Sequence, residues 1–202
     1  MNYLAHVTLA EPEDDARLGA LLGDFARGLD EARLPPTMRF ALHEHRALDT
    51  WFDAHPLVQA ERARFPAPLR RFAGILLDVF ADHVLASRWS ELHPRPIGEV
   101  TASLYRSFDT HAELLPPRLA SIAPRMAAED WLQGYGEARN VRRALVGISA
   151  RMRRETPIVD GFAELERRRG EIEECVLRVW PEAERWIERR RLTLRADGAQ
   201  PK

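Results

Sequence analysis

The stretch "GILLDVFADHVLASRW", residues 74–89, decides the fold prediction, because it is strongly apolar and yet contains two acids. Its large apolar residues recur at three- and four-residue spacing and cover most of a helix circumference, which indicates a buried helix. Asp78 and Asp82 stand four residues apart and therefore share one helix face. Buried acids are rarely unpaired. Either a cation or a proton lies between these two carboxylates, or each acid caps a neighbouring helix or pairs with an arginine.

The rest of the chain shows the same helical spacing and no convincing alternating run of β-branched residues. We therefore predict an all-α, single-domain helical bundle over residues 1–194, with a flexible tail at 195–202. Pro181 is expected to kink the last helix or to split it in two. The predicted helices lie near residues 13–30, 35–54, 56–64, 66–92, 97–113, 117–132, 134–152 and 159–192.

Composition favours a soluble protein with a substantial core. Of the 202 residues, 45% are hydrophobic and 30% are charged. The start "MNYLAHVTLAEPEDD" lacks the basic residues of a secretory signal, and no apolar run reaches the roughly 20 residues that span a bilayer. We therefore expect a cytoplasmic location. Cys175 is the single cysteine, so the chain has no intrachain disulfide, and a metal would need His, Asp or Glu as ligands.

A polar stripe lies in "LHEHRALDTWFDAHP", residues 42–56. His45, Asp49 and Asp53 are spaced four apart and stand above one another on a helix, with Arg46 beside them. This oxygen-and-nitrogen surface suits a divalent cation, which would allow the two carboxylates to lie close together. A solvated helix face with an Arg46–Asp49 pair explains the same pattern.

Two shorter stretches carry isolated polar groups in apolar surroundings. In "LGALLGDFARG", residues 18–28, Asp24 interrupts an apolar run beside Gly23, which permits close backbone approach. In "MNYLAH", residues 1–6, His6 lies between apolar residues. The alternatives are a surface position or helix cap for Asp24, and a hydrogen-bonded core histidine for His6.

Charge is distributed unevenly along the chain. Residues 1–133 carry five more acidic than basic side chains, whereas residues 134–202 carry four more basic than acidic ones. The basic surplus could steer an acidic partner towards the protein. It is more typical of solvated helices on which Arg and Glu alternate.

Taken in order, "MNYLAH", "GALLGDFARG", "LHEHRALDTWFDAHP" and "GILLDVFADHVLASRW" resemble the acyl carrier protein phosphodiesterases, and a weaker likeness continues to about residue 190. The resemblance implies an all-helical fold similar to the HD-type phosphohydrolases. It also implies hydrolysis of holo-acyl carrier protein to the apo form and 4′-phosphopantetheine. The expected cofactor is a divalent metal, Mn²⁺ with Mg²⁺ as the alternative. The pair Asp82-His83 reverses the His-Asp order of the HD group.

The resemblance also implies a set of site residues. His6 or His83 is the candidate general acid for the leaving serine, and Arg46 or Arg27 could hold the phosphate. The acidic carrier protein is the expected partner, docked by Arg142, Arg143 and residues 151–154; neither nucleic acid nor a membrane is expected. The predicted metal ligands are Asp24, His45, Asp49, Asp78 and Asp82.

Two alternatives stay open at this point. One is an HD-like phosphohydrolase that acts on a nucleotide or another small phosphate ester, which a substrate panel would distinguish. The other is a non-catalytic helical interaction protein that binds an acidic partner through "RMRR" or "ERRR", which metal analysis would distinguish.

Overall fold

The computed structural model describes residues 1–196, and in this part of the chain every regular element is helical. The all-α prediction is therefore confirmed. Short 3₁₀ turns lie at Gly23–Phe25, Glu31–Arg33, Ala112–Leu114 and Pro157–Val159. The α-helices are α1 (Tyr3–Leu9), α2 (Asp14–Leu22), α3 (Pro36–Ala54), α4 (Pro56–Ala63), α5 (Ala67–Arg70), α6 (Ala73–Ser87), α7 (Trp89–Leu92), α8 (Ile97–Thr110), α9 (Pro117–Ala128), α10 (Trp131–Gly134), α11 (Ala138–Ser149), α12 (Gly161–Arg167) and α13 (Arg169–Ala196).

The structure divides the chain more finely than the sequence predicted. The predicted helix 66–92 is three helices, α5, α6 and α7, and α1 was not predicted as a helix. The last predicted helix is interrupted at Arg168, whereas α13 continues through Pro181. The predicted split at Pro181 is therefore wrong. Of the predicted tail, Arg195 and Ala196 end α13, and residues 197–202 lie outside the described residues.

Helix α6 lies at the centre of the bundle because it is apolar around most of its circumference. It packs against α1, α4, α11, α12 and α13. One hydrophobic core runs from Met1 to Ile187 and includes Phe80 and Leu76, both fully buried. Among the described residues, no helix is both long enough and apolar enough to cross a membrane.

Small residues allow α2 and α3 to cross at close range. A Cβ on Gly19 would overlap the backbone of Met38, so only glycine permits this approach. Ala16, Ala20 and Ala41 fill the rest of the contact. The crossing brings the 3₁₀ turn that follows α2 alongside the middle of α3.

Two largely buried ion pairs hold α13 against the bundle: one is formed by Arg191 within the helix, the other by Arg168, the residue directly before it. Arg191 contacts the carboxylate of Glu44 on α3 at 2.7 and 2.8 Å and donates to the carbonyl of Leu9 at 2.7 Å. Arg168 donates to Glu61 of α4, and both side chains are almost fully buried. These contacts hold the end of α1, α3, α4 and α13 in one arrangement.

Candidate functional site

The first element of the site is α1, whose start is held by Asp82 of α6. The two carboxylate oxygens of Asp82 accept the backbone N–H groups of Leu4 at 2.8 Å and Ala5 at 3.0 Å. These N–H groups have no partner within their own helix. Asp82 is fully buried, and this burial raises its pKa to about 7 even though the two hydrogen bonds act to lower it. Asp82 therefore positions the helix that carries His6.

Asp49 lies at the centre of a cluster of polar groups. Its Oδ1 is 3.0 Å from His6 Nε2, and its Oδ2 is 3.2 Å from His45 Nε2. The two imidazole rings stack with their centroids 3.7 Å apart. Because an ionised carboxylate only accepts, each Nε2 carries the proton. The Nδ1 atoms of both rings are buried without a hydrogen-bond partner.

A positive charge lies between two carboxylates of this cluster. The amino group of Met1 is 3.1 Å from Asp49 Oδ1 and 3.0 Å from Asp78 Oδ1. Burial acts to lower the pKa of the amine, but the two carboxylates outweigh it and raise the value to about 11. Burial raises the pKa of Asp78. At Asp49 burial acts in the same direction, but hydrogen bonds from His45 and His6 reverse it and lower the pKa strongly.

Asp24 faces the same cluster from the 3₁₀ turn after α2. Its Oδ2 is buried without a hydrogen-bond partner. Its pKa is raised to about 6, chiefly by burial and also by the charges of Asp49 and Asp78, while the charge of His45 acts to lower it. The neighbouring Gly23 lies so close to the His45 ring that a Cβ there would overlap it. The close approach expected at Gly23 is therefore confirmed.

Of the five predicted metal ligands, the structure places His45 and Asp49 in one group of donor atoms, together with His6. Donor atoms of His6, His45 and Asp49 lie within 4.8 Å of one another, which is close enough to share one ion. Asp78 contacts the Met1 amine, which also contacts Asp49, and Asp24 lies near enough for the charges of His45, Asp49 and Asp78 to shift its pKa. Asp82 does not join them, because both of its oxygens cap α1. This is the structural alternative that the sequence left open for Asp82.

Two residues predicted to be catalytic lie away from the cluster. Arg46 is exposed and its guanidinium contacts Glu31 at 2.5 and 3.2 Å, so the expected Arg46–Asp49 pair does not form. His83 Nδ1 donates to the carbonyl of Tyr135 at 2.8 Å. His83 follows Asp82 in α6, so its side chain projects about 100° around the helix from that of Asp82. The charged groups that shift its pKa belong to α12 and α13. Among the described residues, neither side chain forms a hydrogen bond or ion pair with the cluster.

Two further groups near the cluster carry no pattern that sequence reasoning could use. The Met1 amine is a backbone group, so no side-chain spacing marks it. Arg118 of α9 lies within 3.5 Å of the Asp24 carbonyl, although the two residues are far apart in sequence.

Of the arginines predicted to dock a partner, Arg143 pairs with Glu129 at 2.9 Å.

Comparison with known proteins adds the family to this geometry. A family model described as acyl carrier protein phosphodiesterase matches residues 1–183. A protein of that name from Serratia proteamaculans (strain 568) is 34% identical over 183 residues, 90% of this chain and 95% of the relative. The Yersinia pestis protein of the same name is 32% identical over 182 residues, 90% of this chain and 94% of its own.

A third relative of that name, from Escherichia coli O45:K1 (strain S88 / ExPEC), is 34% identical over 167 residues, 82% of this chain and 86% of the relative. No solved structure matches the chain. The family match covers most of the chain and includes every residue of the cluster around Asp49. This chain therefore belongs to the acyl carrier protein phosphodiesterase family.

Proposed function

We propose that this protein is a metal-dependent phosphodiesterase that hydrolyses holo-acyl carrier protein to the apo form and 4′-phosphopantetheine. The observation that carries the proposal is the cluster of carboxylates and imidazoles around Asp49, which four separate segments of the chain build at one place. Buried carboxylates at such density need a compensating positive charge. The family membership supplies the substrate class, because relatives of this chain are named for that activity.

The donor set fits a divalent transition metal. Carboxylate oxygens suit hard cations, and imidazoles suit transition metals better than Mg²⁺, which prefers oxygen ligands. At the cluster, Asp24 Oδ2, Asp78 Oδ1 and the Nδ1 atoms of His6 and His45 are buried without a hydrogen-bond partner, although Asp78 Oδ1 has the Met1 amine 3.0 Å away. We propose Mn²⁺ as the cofactor, with Mg²⁺ as the alternative, held by Asp24, His6, His45, Asp49 and Asp78.

A bound metal would lower the pKa of a water molecule to near 7 and neutralise charge on the phosphate oxygens. The chain's own residues prepare that site. Asp49 orients both imidazoles through its two oxygens. Burial and the nearby His45 lower the pKa of His6 to about 3, so His6 is neutral at pH 7. A neutral imidazole suits a ligand better than a proton donor, and we propose this role for His6.

We also propose that the protein is related to the HD-type phosphohydrolases. The all-helical fold and the mixture of His and Asp donors support it. Asp82 and His83, the pair in reversed order, cap α1 and bond Tyr135 respectively. Positions from the HD group therefore should not be transferred to this pair. A cytoplasmic location, where a carrier protein would be met, stays a prediction.

A substrate panel tests the function directly. The purified protein with Mn²⁺ is incubated in parallel with holo-acyl carrier protein, with nucleoside mono-, di- and triphosphates, and with a small aryl phosphodiester. The proposal predicts metal-dependent release of 4′-phosphopantetheine and no comparable turnover of nucleotides. Preferred nucleotide turnover would support the small-ester alternative, and absence of both metal and turnover would support an interaction protein.

A further inference from the structure

A cavity of about 300 Å³ opens between α9 and α11 and reaches the start of the chain. This volume lies at the lower end of the range of about 300–1,000 Å³ for small-molecule sites. We call it the α9–α11 groove; the lining residues that matter here are Tyr3, Arg118, Ile122, Gly147, Ile148 and Arg151.

One part of the groove wall is apolar and only partly buried. Ile122 of α9 and Ile148 of α11 both line it and are partly buried, and Gly147 next to Ile148 adds no side chain. Trp131 closes one end, where the guanidinium of Arg125 stacks on its ring at 4.9 Å. Such a wall can hold a flexible, uncharged chain through burial of apolar surface.

The other part of the wall is cationic. Arg118 and Arg151 both line the groove, and among the described residues neither is within ion-pair distance of a carboxylate. Burial lowers the pKa of Arg151, and the nearby Arg118 lowers it further. By contrast, Arg143, which also lines the groove, has Glu129 as a partner. Two neighbouring guanidinium groups without a counter-ion favour an anion, and their planar forks match phosphate oxygens.

The cationic wall borders the acidic cluster around Asp49. Arg118 lies 3.5 Å from the carbonyl of Asp24 and 3.5 Å from the hydroxyl of Tyr3. Its guanidinium also stacks on Phe25 at 4.6 Å, next to Asp24 in sequence. Asn2, between Met1 and Tyr3, donates to the hydroxyl of Tyr135 in the floor of the groove at 2.8 Å. A phosphate held by Arg118 would therefore lie beside the carboxylates.

We propose that the α9–α11 groove binds the phosphopantetheine arm of the substrate, with its phosphate on Arg118 and Arg151 and its uncharged chain along Ile122, Gly147 and Ile148. The inference rests on the proposed function and deepens it, because it identifies the surface that binds the prosthetic group, as distinct from the surface that binds the carrier protein. The amphipathic wall matches the arm, which is neutral along its length and anionic at the phosphate.

Binding of the free arm tests this without turnover. Isothermal titration calorimetry with Mn²⁺ present would compare 4′-phosphopantetheine, unphosphorylated pantetheine and inorganic phosphate on the wild type and on Arg118→Gln, Arg151→Gln and Gly147→Leu. Gly147 is helical, and a Cβ there meets only Arg151 Nη1 at 3.5 Å, so the leucine fills the groove without a clash at its Cβ. Arg139→Gln and Gly170→Leu are matched controls, because Arg139 is outside the groove and Gly170 has nothing within 4 Å. Thermal melts confirm that each variant folds.

The wild type should bind 4′-phosphopantetheine more tightly than pantetheine. Each arginine variant should weaken 4′-phosphopantetheine about tenfold, the loss expected for one charge-assisted contact, and should reduce the preference for the phosphate by the same factor. Gly147→Leu should weaken both ligands, and the controls should match the wild type. Variants that bind like the controls, or a wild type that binds nothing at millimolar concentration, would overturn the groove assignment. Hydrolysis of holo-carrier protein, measured separately, decides the proposed activity independently of this result.

Discussion

Gly23 lies directly against the imidazole of His45, so close that any Cβ at position 23 would overlap the ring. The turn that carries Asp24 and the helix that carries His45 can therefore pack together only because residue 23 has no side chain. Since Nε2 of the same ring lies 3.2 Å from Asp49 Oδ2, the backbone at Gly23 helps to fix the centre of the cluster.

Gly23→Ala should therefore push the His45 ring off Asp49 while the helices still form. Displacement of a catalytic group by about 1 Å can cost about 100-fold in rate, and we expect a fall of that order in kcat/KM on holo-carrier protein. Gly170→Ala is the control, since nothing lies within 4 Å of a Cβ there. Near wild-type kinetics in Gly23→Ala would show that the ring position is not critical.

Asp24→Ala should separate metal binding from folding. Burial raises the pKa of Asp24, and its Oδ2 has no partner, so its removal should not destabilise the chelator-treated protein. A metal present at about 100 times its Kd stabilises a protein by about 2.7 kcal/mol. We expect Mn²⁺ to raise the melting temperature of the wild type and to do so far less in Asp24→Ala.

The control for this comparison is Asp109→Ala, which removes an exposed carboxylate of α8. That variant should keep the full Mn²⁺-dependent shift. An equal shift in Asp24→Ala and the wild type would remove Asp24 from the metal site.

Asp82 should matter through the position of α1. Asp82→Ala leaves the N–H groups of Leu4 and Ala5 buried without acceptors, which costs about 1–3 kcal/mol of unfolding free energy per group. Asp82→Asn keeps one acceptor and should lose less. Urea melts give the free energies, and a retained Mn²⁺ shift in Asp82→Asn would confirm that Asp82 is a cap. Loss of that shift in a stable Asp82→Asn protein would restore Asp82 to the ligand set.

The ion pair between Arg168 and Glu61 should contribute to the stability of the fold and not to activity. Arg168→Met leaves the buried Glu61 carboxylate with only Arg64, so we expect a loss of about 3 kcal/mol. Arg167→Met is the matched control, because its pair with Glu164 is exposed on the arginine side and should contribute less than about 1 kcal/mol. Equal urea midpoints for the two variants would contradict this difference.

Helical periodicity predicted the fold because most helices here bury one face of a repeating pattern. It failed at α1, since seven residues are too few for a pattern and the helix is held by Asp82 from another segment. It also predicted a kink or a split at Pro181, whereas the observed interruption is at Arg168, whose side chain pairs with Glu61.

The site was predictable where its residues share a helix or a family motif. The four-residue spacing of His45 and Asp49 predicted that they share one helix face, and the two side chains contact each other in the structure. Spacing could not show where side chains of different helices point. Arg46 was expected to face the cluster but reaches Glu31, and Arg118 entered through tertiary packing of α9.

The central claim is that the cluster around Asp49 serves hydrolysis of the phosphopantetheine diester. Intact-mass measurement of holo-acyl carrier protein after incubation with the protein and Mn²⁺ tests it most directly. The account predicts conversion to the mass of the apo form, with loss of conversion when a chelator is added or when Asp78 is replaced by Ala. A carrier protein that keeps its holo mass after incubation with folded, Mn²⁺-supplied protein, or full conversion by Asp78→Ala, would contradict it.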